Sequence, residues 1–148
     1  MPSFVATCRA AVANPRTIGA VQQPSTARTR LWLNQFILSI SGTPADNAII
    51  WTLQRTTTAG TSTSVTPAVA DQADTATAVA GENFTAEPTY TSATELFDNA
   101  LTQRATLAVV YAPGRERVIP LTNSNGLGMK AAHGSFTGNA DCTLEWSE

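Results

Sequence analysis

The side chains that most often perform acid–base or nucleophilic chemistry are scarce in this sequence. His133 is the only histidine, and it lies among the small residues of the segment 131–135. No Gly-x-Ser-x-Gly nucleophile turn, phosphate-binding glycine loop or dinucleotide fingerprint is present. A single imidazole without a neighbouring motif favours a structural or interfacial role. We therefore expect a protein that is not an enzyme.

The acidic side chains of the middle segment are the remaining candidates for a metal site. Asp71, Asp74, Glu82 and Glu87 carry oxygen ligands of the kind that Ca²⁺ prefers. Their spacing does not match an EF-hand loop, and one histidine excludes a histidine cluster. A solvated acidic loop is the favoured interpretation, and no metal or cofactor is expected.

Two cysteines lie at opposite ends of the sequence, Cys8 in the first apolar run and Cys142 in the last. Isolated cysteines of a cytosolic product are more often buried thiols than disulfides. A disulfide stays geometrically possible if the two terminal strands are neighbours, so the sequence leaves both alternatives open.

The tryptophans raise the question of a sugar-binding platform, since exposed aromatic rings bind saccharides in many β-sandwich modules. Trp32, Trp51 and Trp146 each fall in phase with apolar neighbours. That pattern favours packing in the core or at a subunit interface over a carbohydrate platform.

The composition and charge of the chain indicate which kinds of molecule it could bind. Charged residues make up 14% of the chain, against about 25% in typical domains. The net charge is −2, and no cluster of basic and aromatic residues indicates nucleic-acid binding. No apolar stretch approaches the length of a membrane span, and no secretory leader is recognisable, so we expect a cytosolic product with no membrane partner. A weakly charged surface suits close packing against another protein.

Charge is distributed unevenly along the chain. Residues 1–55 carry five arginines and only Asp46 as an acid, whereas residues 56–103 carry six acids and no basic residue. Two differently charged faces are one interpretation, and chance in a weakly charged chain is the other.

Alternation of apolar and polar residues predicts strands at several places. The clearest is the C-terminus, where Cys142, Leu144 and Trp146 share one face. Residues 29–41 form a predicted central strand in which Trp32, Asn34, Phe36, Leu38 and Ile40 share a face. A turn at 42–47 and alternation over 49–55 predict that this strand pairs with the next as a hairpin. A second hairpin is predicted for 105–111 with 117–121, and weaker strands for 3–13 and 127–135.

The remaining segments predict irregular structure. Residues 14–26 form a predicted Pro/Gln-rich link, and the Ala/Thr-rich residues 56–100 form predicted long loops and short edge strands, with one helical turn at 92–100. We expect a single all-β domain over 1–148, an antiparallel two-sheet sandwich of jelly-roll type with seven or eight strands. It comprises an extended N-terminal arm or strand (1–26) and a body (27–148). An immunoglobulin-like sandwich is the structural alternative.

In layout, the chain resembles the capsid decoration or cement proteins of tailed bacteriophages, which have jelly-roll folds. The resemblance rests on the N-terminal β arm and on the segments 28–33, 51–55, 63–67, 71–80 and 83–87. It implies a non-enzymatic virion protein that binds the outer capsid surface, contacts the major capsid protein and forms a homotrimer. No residue-level site comes with this resemblance.

The candidate contacts with the shell are therefore our own hypothesis. Residues 3–26 would add a strand to an open edge of a neighbouring subunit while Arg9 and Arg16 meet acidic residues of the shell. Arg28 and Arg30 complete the predicted contact set. The rival hypothesis is a carbohydrate- or receptor-binding module of a phage fibre or an adhesion protein.

Overall fold

A computed structural model gives the structure of the protein and describes residues 1–12, 15–133, 136 and 138–148. The strands of this part are β1 Ser3–Ala11, β2 Arg16–Gln22, β3 Leu31–Gly42, β4 Ala48–Thr56, β5 Thr61–Val65, β6 Ala68–Val69, β7 Val79–Ala86, β8 Tyr90–Thr102, β9 Leu107–Val110, β10 Arg117–Ile119, β11 Gly126–Ala132 and β12 Gly138–Ser147. The described residues include no helix that could cross a lipid bilayer. The predicted all-β class is confirmed, with more strands than expected.

The strands form two antiparallel sheets that pack face to face. Sheet A has the order β6-β1-β12-β3, and β9 and β10 both pair with the far edge of β3. Sheet B has the order β5-β7-β2-β11-β4-β8. The rings of Phe36 in sheet A and Phe97 in sheet B meet edge to face with centroids 5.2 Å apart. The predicted two-sheet sandwich is thereby confirmed.

The interior is built from alternate residues of the strands, as period-two patterning requires. In β12 every second residue from Ala140 to Trp146 is fully buried, and β1 contributes Phe4, Cys8 and their in-phase neighbours. Trp51 of sheet B is buried as well. Each large apolar side chain removed from water in this way stabilises the fold by roughly 1.5–3 kcal/mol.

Strand β3 is central, as predicted, but the predicted grouping of its residues on one face is wrong near its start. Leu33 is buried and so is Phe36, three positions later. The register with β12 shifts here, since Leu33 faces Trp146 whereas Gln35 faces Glu145. The extra residue, Asn34, forms a β-bulge that reverses which face points inward.

Both predicted hairpins are wrong. Strands β3 and β4 lie in different sheets, and β9 and β10 follow one another along the same edge of β3, where Val110 pairs with Gln35 and Arg117 with Leu33. Alternation shows which side of a strand is buried. It is the same whether two consecutive strands are neighbours in one sheet or lie in opposite sheets across the core. The sequence therefore did not distinguish these two kinds of neighbour.

The predicted extended N-terminal arm is not seen. Strand β1 lies between β12 and β6, and β2 lies between β7 and β11 instead of forming a link. Phe4 and Ile18 are both completely buried. Residues Ala13 and Asn14, at the predicted boundary of strand and link, are outside the described residues.

Residues 56–100 were predicted as long loops and short edge strands; the short edge strands are confirmed by β5 and β6, but much of the predicted loop is strand. Strands β7 and β8 belong to sheet B, and the predicted helical turn at 92–100 is part of β8. The register of β8 with β4 is irregular there, and Ala93 has a positive φ of 56°. The buried residues of β7 are Ala80, Gly81 and Phe84, and of these three Ala80 belongs to the core between the sheets, so a small residue stands where a large apolar one usually marks a strand.

The β7–β8 connection and the first residues of β8 cover part of the outer face of sheet B. The Tyr90 hydroxyl lies 2.5 Å from the Thr17 hydroxyl, and the Thr17 backbone N–H donates to the Glu87 carboxylate at 3.1 Å. Burial, opposed by the hydrogen bond with Thr17, raises the pKa of Tyr90 far above its ordinary value. This cover explains why polar residues of both β2 and β4, such as Gln54, are buried although they face away from the core.

Candidate interaction surface

The four arginines predicted to contact a partner do not form one surface. The strand pairings place Arg9 and Arg16 toward the end of the sandwich that holds the β1–β2 connection. Arg28 and Arg30 lie at the opposite end, in the exposed connection between β2 and β3. The predicted set therefore separates into two pairs.

Arg9 and Arg16 are engaged within the chain. The Arg9 guanidinium forms an ion pair with Asp141, and its backbone N–H donates to the Glu82 carboxylate at 2.6 Å. The hydrogen bond and the charge of Asp141 raise the pKa of Arg9. The Arg16 guanidinium donates to the backbone carbonyls of Ala11 and Phe84, at 3.2 and 3.4 Å. Both guanidinium groups therefore have partners within the chain, while the Arg9 side chain remains 61% exposed.

Arg28 and Arg30 are exposed and precede β3, whose neighbour β10 carries another arginine. Arg30 directly precedes Leu31, which pairs with Ile119 of β10. Arg117 is two residues before Ile119 on that strand. Arg115 lies in the turn before β10, and Arg55, the last residue but one of β4, lies close to Val118. We call Arg28, Arg30, Arg55, Arg115 and Arg117 the arginine corner.

Two members of the arginine corner are held in place by neutral groups. The Arg55 guanidinium donates to the Val118 carbonyl at 2.8 Å, which joins sheet B to sheet A. The Arg117 guanidinium lies over the Tyr111 ring, 4.7 Å from its centroid, a cation–π contact. The Arg117 Nε atom is buried without an acceptor among the described residues.

Carboxylates do not neutralise the arginine corner. The ion pairs found within the described residues are Arg9–Asp141 and Arg104–Asp46, and neither involves the corner. The nearest acid along the chain, Glu116, accepts a hydrogen bond from the Gly114 backbone N–H at 3.0 Å. Arg28, Arg30 and Arg115 are exposed and form none of these ion pairs, so they carry positive charge that attracts anionic groups.

Apolar side chains accompany these charges. Val110 is 69% exposed on β9, and Leu121 is 50% exposed directly after β10. The edge formed by β9 and β10 also ends sheet A, so no other strand among the described residues pairs with its outer backbone groups. Arginine is enriched in protein–protein interfaces, and the two exposed apolar side chains would add area for such an interface to bury.

Sequence reasoning placed only two of the five corner residues in the contact set. Arg115 and Arg117 are distant in sequence from Arg28 and Arg30, and they come together only because β10 pairs with β3. The alternation at 117–121 indicated a strand here. The predicted hairpin paired that strand with 105–111, whereas it pairs with β3.

Part of the predicted acidic loop lies at the same end of the sandwich as Arg28 and Arg30, but beside β6, at the opposite edge of sheet A. Asp71 and Asp74 line an open depression of about 430 Å³ together with Met1, Pro2, Ser3 and Ala70. Glu82 and Glu87 lie away from this depression. Their carboxylates accept hydrogen bonds from the backbone N–H groups of Arg9 and Thr17, respectively. No group of three or more His, Cys, Asp or Glu side chains suited to a metal ion occurs within the described ranges.

The lone histidine packs within the structure. The Nε2 atom of His133 lies 2.9 Å from the Gln103 amide nitrogen, and its Nδ1 atom accepts from the Phe136 backbone N–H. The Phe136 ring stacks edge to face on the imidazole. These contacts orient the ring between polypeptide segments, as a structural histidine requires.

The tryptophans differ in exposure. Trp51 and Trp146 are buried in the core, as their phase predicted, whereas Trp32 is only half-buried beside Val118 and Ser147. Only Trp32 could contribute a ring face to a ligand.

No protein family, curated protein or solved structure matches this chain.

Proposed function

We propose that the protein is a structural component of a bacteriophage virion that binds the outer surface of the capsid and stabilises contacts between major capsid subunits, without enzymatic activity. The observation that carries the proposal is the arginine corner, which brings positive charge close to the edge formed by β9 and β10 and its exposed Val110. The sequence resemblance to decoration proteins supplies the class of partner.

The strand order supports the jelly-roll part of the proposal. If β5, β6 and β7 are treated as an insertion, the remaining orders are β1-β12-β3-β9/β10 and β2-β11-β4-β8. Consecutive strands then alternate between the sheets except for the pair β4 and β8 and the two segments of one edge, β9 and β10. Two four-stranded sheets wound in this way make the double Greek key of a jelly roll.

The arginine corner suits an acidic partner for electrostatic and geometric reasons. Arg55 and Arg117 are already oriented by Val118 and Tyr111, so ordering them on binding costs little further conformational entropy. Arg28 and Arg30 remain exposed and add long-range attraction. The partner that this combination favours is an acidic, partly apolar protein surface, here the outer face of the major capsid protein.

Many weak contacts suffice for this role. A capsid repeats the same binding site over its surface, and a homotrimer would engage several copies at once. We propose a homotrimer assembled in the host cytoplasm and finally located on the virion. Sedimentation equilibrium of the purified protein tests the trimer, and a monomer at micromolar concentration would reject it.

Co-sedimentation with empty phage heads tests the function. The protein should pellet with the heads, and the bound fraction should fall as salt rises, because part of the attraction is electrostatic. Protein that stays in the supernatant at low salt would reject capsid binding.

A glycan screen with tryptophan fluorescence tests the carbohydrate-binding alternative. Trp32 is the residue that would report a sugar, since the other two tryptophan rings are buried. The proposed function predicts no change in emission with any saccharide. A saturable change that is lost in Trp32→Phe would favour the rival function.

A further inference from the structure

The two cysteines of the chain face each other across the centre of sheet A. Cys8 of β1 and Cys142 of β12 are direct partners in the antiparallel register. Both are fully buried free thiols. Directly opposed residues of an antiparallel pair point to the same side of the sheet, so both sulfurs enter the interior.

The backbone geometry suits a disulfide. Opposed residues in antiparallel strands have Cα atoms about 4.5–5.5 Å apart, and disulfides span roughly 4.4–6.8 Å between Cα atoms. The sulfurs also converge. A Cβ placed on Gly19 of sheet B would lie 2.8 Å from the Cys8 Sγ and 2.9 Å from the Cys142 Sγ. Both sulfurs therefore occupy the same small space above Gly19.

We propose that Cys8 and Cys142 form a disulfide that joins β1 to β12 when the protein meets an oxidising thiol–disulfide solution. One cysteine thiolate attacks oxidised glutathione and releases one reduced glutathione. The second thiolate then attacks the mixed disulfide and releases another. Two S–H bonds are lost, one S–S bond forms, and the two electrons reduce the glutathione disulfide.

Burial determines when this reaction occurs. The contact with Cys8, burial, and the negative charges of Asp141 and Glu82 raise the pKa of the Cys142 thiol. Since the thiolate is the reacting species, the folded protein reacts slowly, and faster as pH rises. The bond forms more readily during folding, or when β1 separates transiently from β12.

The bond would close a loop that contains nearly the whole chain. Such a loop restricts the unfolded ensemble strongly, so the oxidised protein should melt about 10 °C above the reduced one. Strands β1 and β12, the first and last of the described chain and neighbours in sheet A, would then no longer separate. This consequence does not depend on the virion role.

The test uses the unmodified sequence. The protein is unfolded, refolded in a mixture of reduced and oxidised glutathione, and compared with protein refolded in excess reductant. We expect single chains without intermolecular disulfides, a mass lower by two hydrogen atoms, a Cys8–Cys142 peptide in the non-reduced digest, and the higher Tm. The double variant Cys8→Ala/Cys142→Ala is the control, and its Tm should be the same in both buffers.

Two results would overturn the proposal. One is a refolded protein that keeps both thiols, or forms only glutathione adducts or intermolecular dimers. The other is an intramolecular bond that lowers Tm, since that would mean the sheet must distort to accommodate it.

Discussion

The guanidinium of Arg55 in sheet B donates a hydrogen bond of 2.8 Å to the carbonyl of Val118 in sheet A. This contact closes the sandwich where β10 ends sheet A, and it fixes one cation of the arginine corner. The same residue therefore contributes to stability and to the proposed docking surface.

Replacing Arg55 should destabilise the protein. Arg55→Met keeps much of the apolar stem and removes the donor, and we expect a loss of about 1–2 kcal/mol in the free energy of unfolding. Urea unfolding measures it. Arg104→Met is the matched control, because Arg104 forms an exposed ion pair with Asp46 at 2.7 Å that should contribute little. Equal effects of the two substitutions would show that the Arg55 bridge has no special role.

Gly19 should not tolerate a side chain. A Cβ at this position would lie 2.7 Å from the Cys8 Cβ, which is closer than side chains approach one another. Gly19→Ala should cost about 1–3 kcal/mol through overpacking between the sheets. Gly114→Ala is the comparison, since a Cβ there meets no atom within 4 Å, although its φ of +82° adds backbone strain. A Gly19→Ala protein as stable as the unmodified protein, measured by thermal unfolding, would contradict the close packing over the cysteines.

Glu148 should make stability depend on pH. Burial would raise the pKa of its carboxyl group, but hydrogen bonds from Thr77, Ala78 and Trp146 outweigh burial and hold the pKa below its ordinary value. A group whose pKa is lower in the folded state stabilises the fold above its unfolded pKa, and this stabilisation is lost as pH falls through the folded pKa.

Glu148→Gln tests this dependence. The variant should be less stable than the unmodified protein at neutral pH, by about 1 kcal/mol, because neutral hydrogen bonds are weaker than those to a carboxylate. The difference should shrink in acid. Urea unfolding measured at several pH values checks it. A difference that stays constant into acid would mean that the carboxylate charge is not the cause.

The sequence predicted which residues are buried better than it predicted which strands are neighbours. Alternation identified the inner face of β12, including Cys142 and Trp146, and both are fully buried. It did not reveal the bulge at Asn34, because a single inserted residue leaves no composition signal. It missed β2, whose buried residues include Gly19 and Ala20, because small side chains carry little hydrophobic pattern.

The candidate surface was partly predictable for a related reason. Arg28 and Arg30 are close in sequence and form a visible basic pair, whereas Arg115 and Arg117 join them only through the pairing of β10 with β3. Arg9 was assigned to a free arm, yet its strand is internal and its charge is paired with Asp141. Deleting residues 1–26 would therefore remove two core strands, so point substitutions replace deletion as the test of docking.

Charge reversal at the arginine corner should weaken capsid binding selectively. Arg28→Glu/Arg30→Glu should lower the affinity for empty heads at least about tenfold, because repulsion replaces attraction at an acidic surface. Folding should be unaffected, since both side chains are exposed. Arg104→Glu, an exposed charge reversal at the opposite end, is the control in a quantitative co-sedimentation titration. Equal affinity losses in the two proteins would place the contact elsewhere.

The most direct measurement is an electron cryomicroscopy reconstruction of empty phage heads incubated with the protein. The proposed function predicts added density on the outer surface that fits the sandwich, with the edge formed by β9 and β10 and the exposed Arg28 and Arg30 directed at the shell. Heads without added density at saturating protein would contradict capsid binding, and density that contacts the shell through the Arg9 and Arg16 end would contradict the arginine corner as the docking surface.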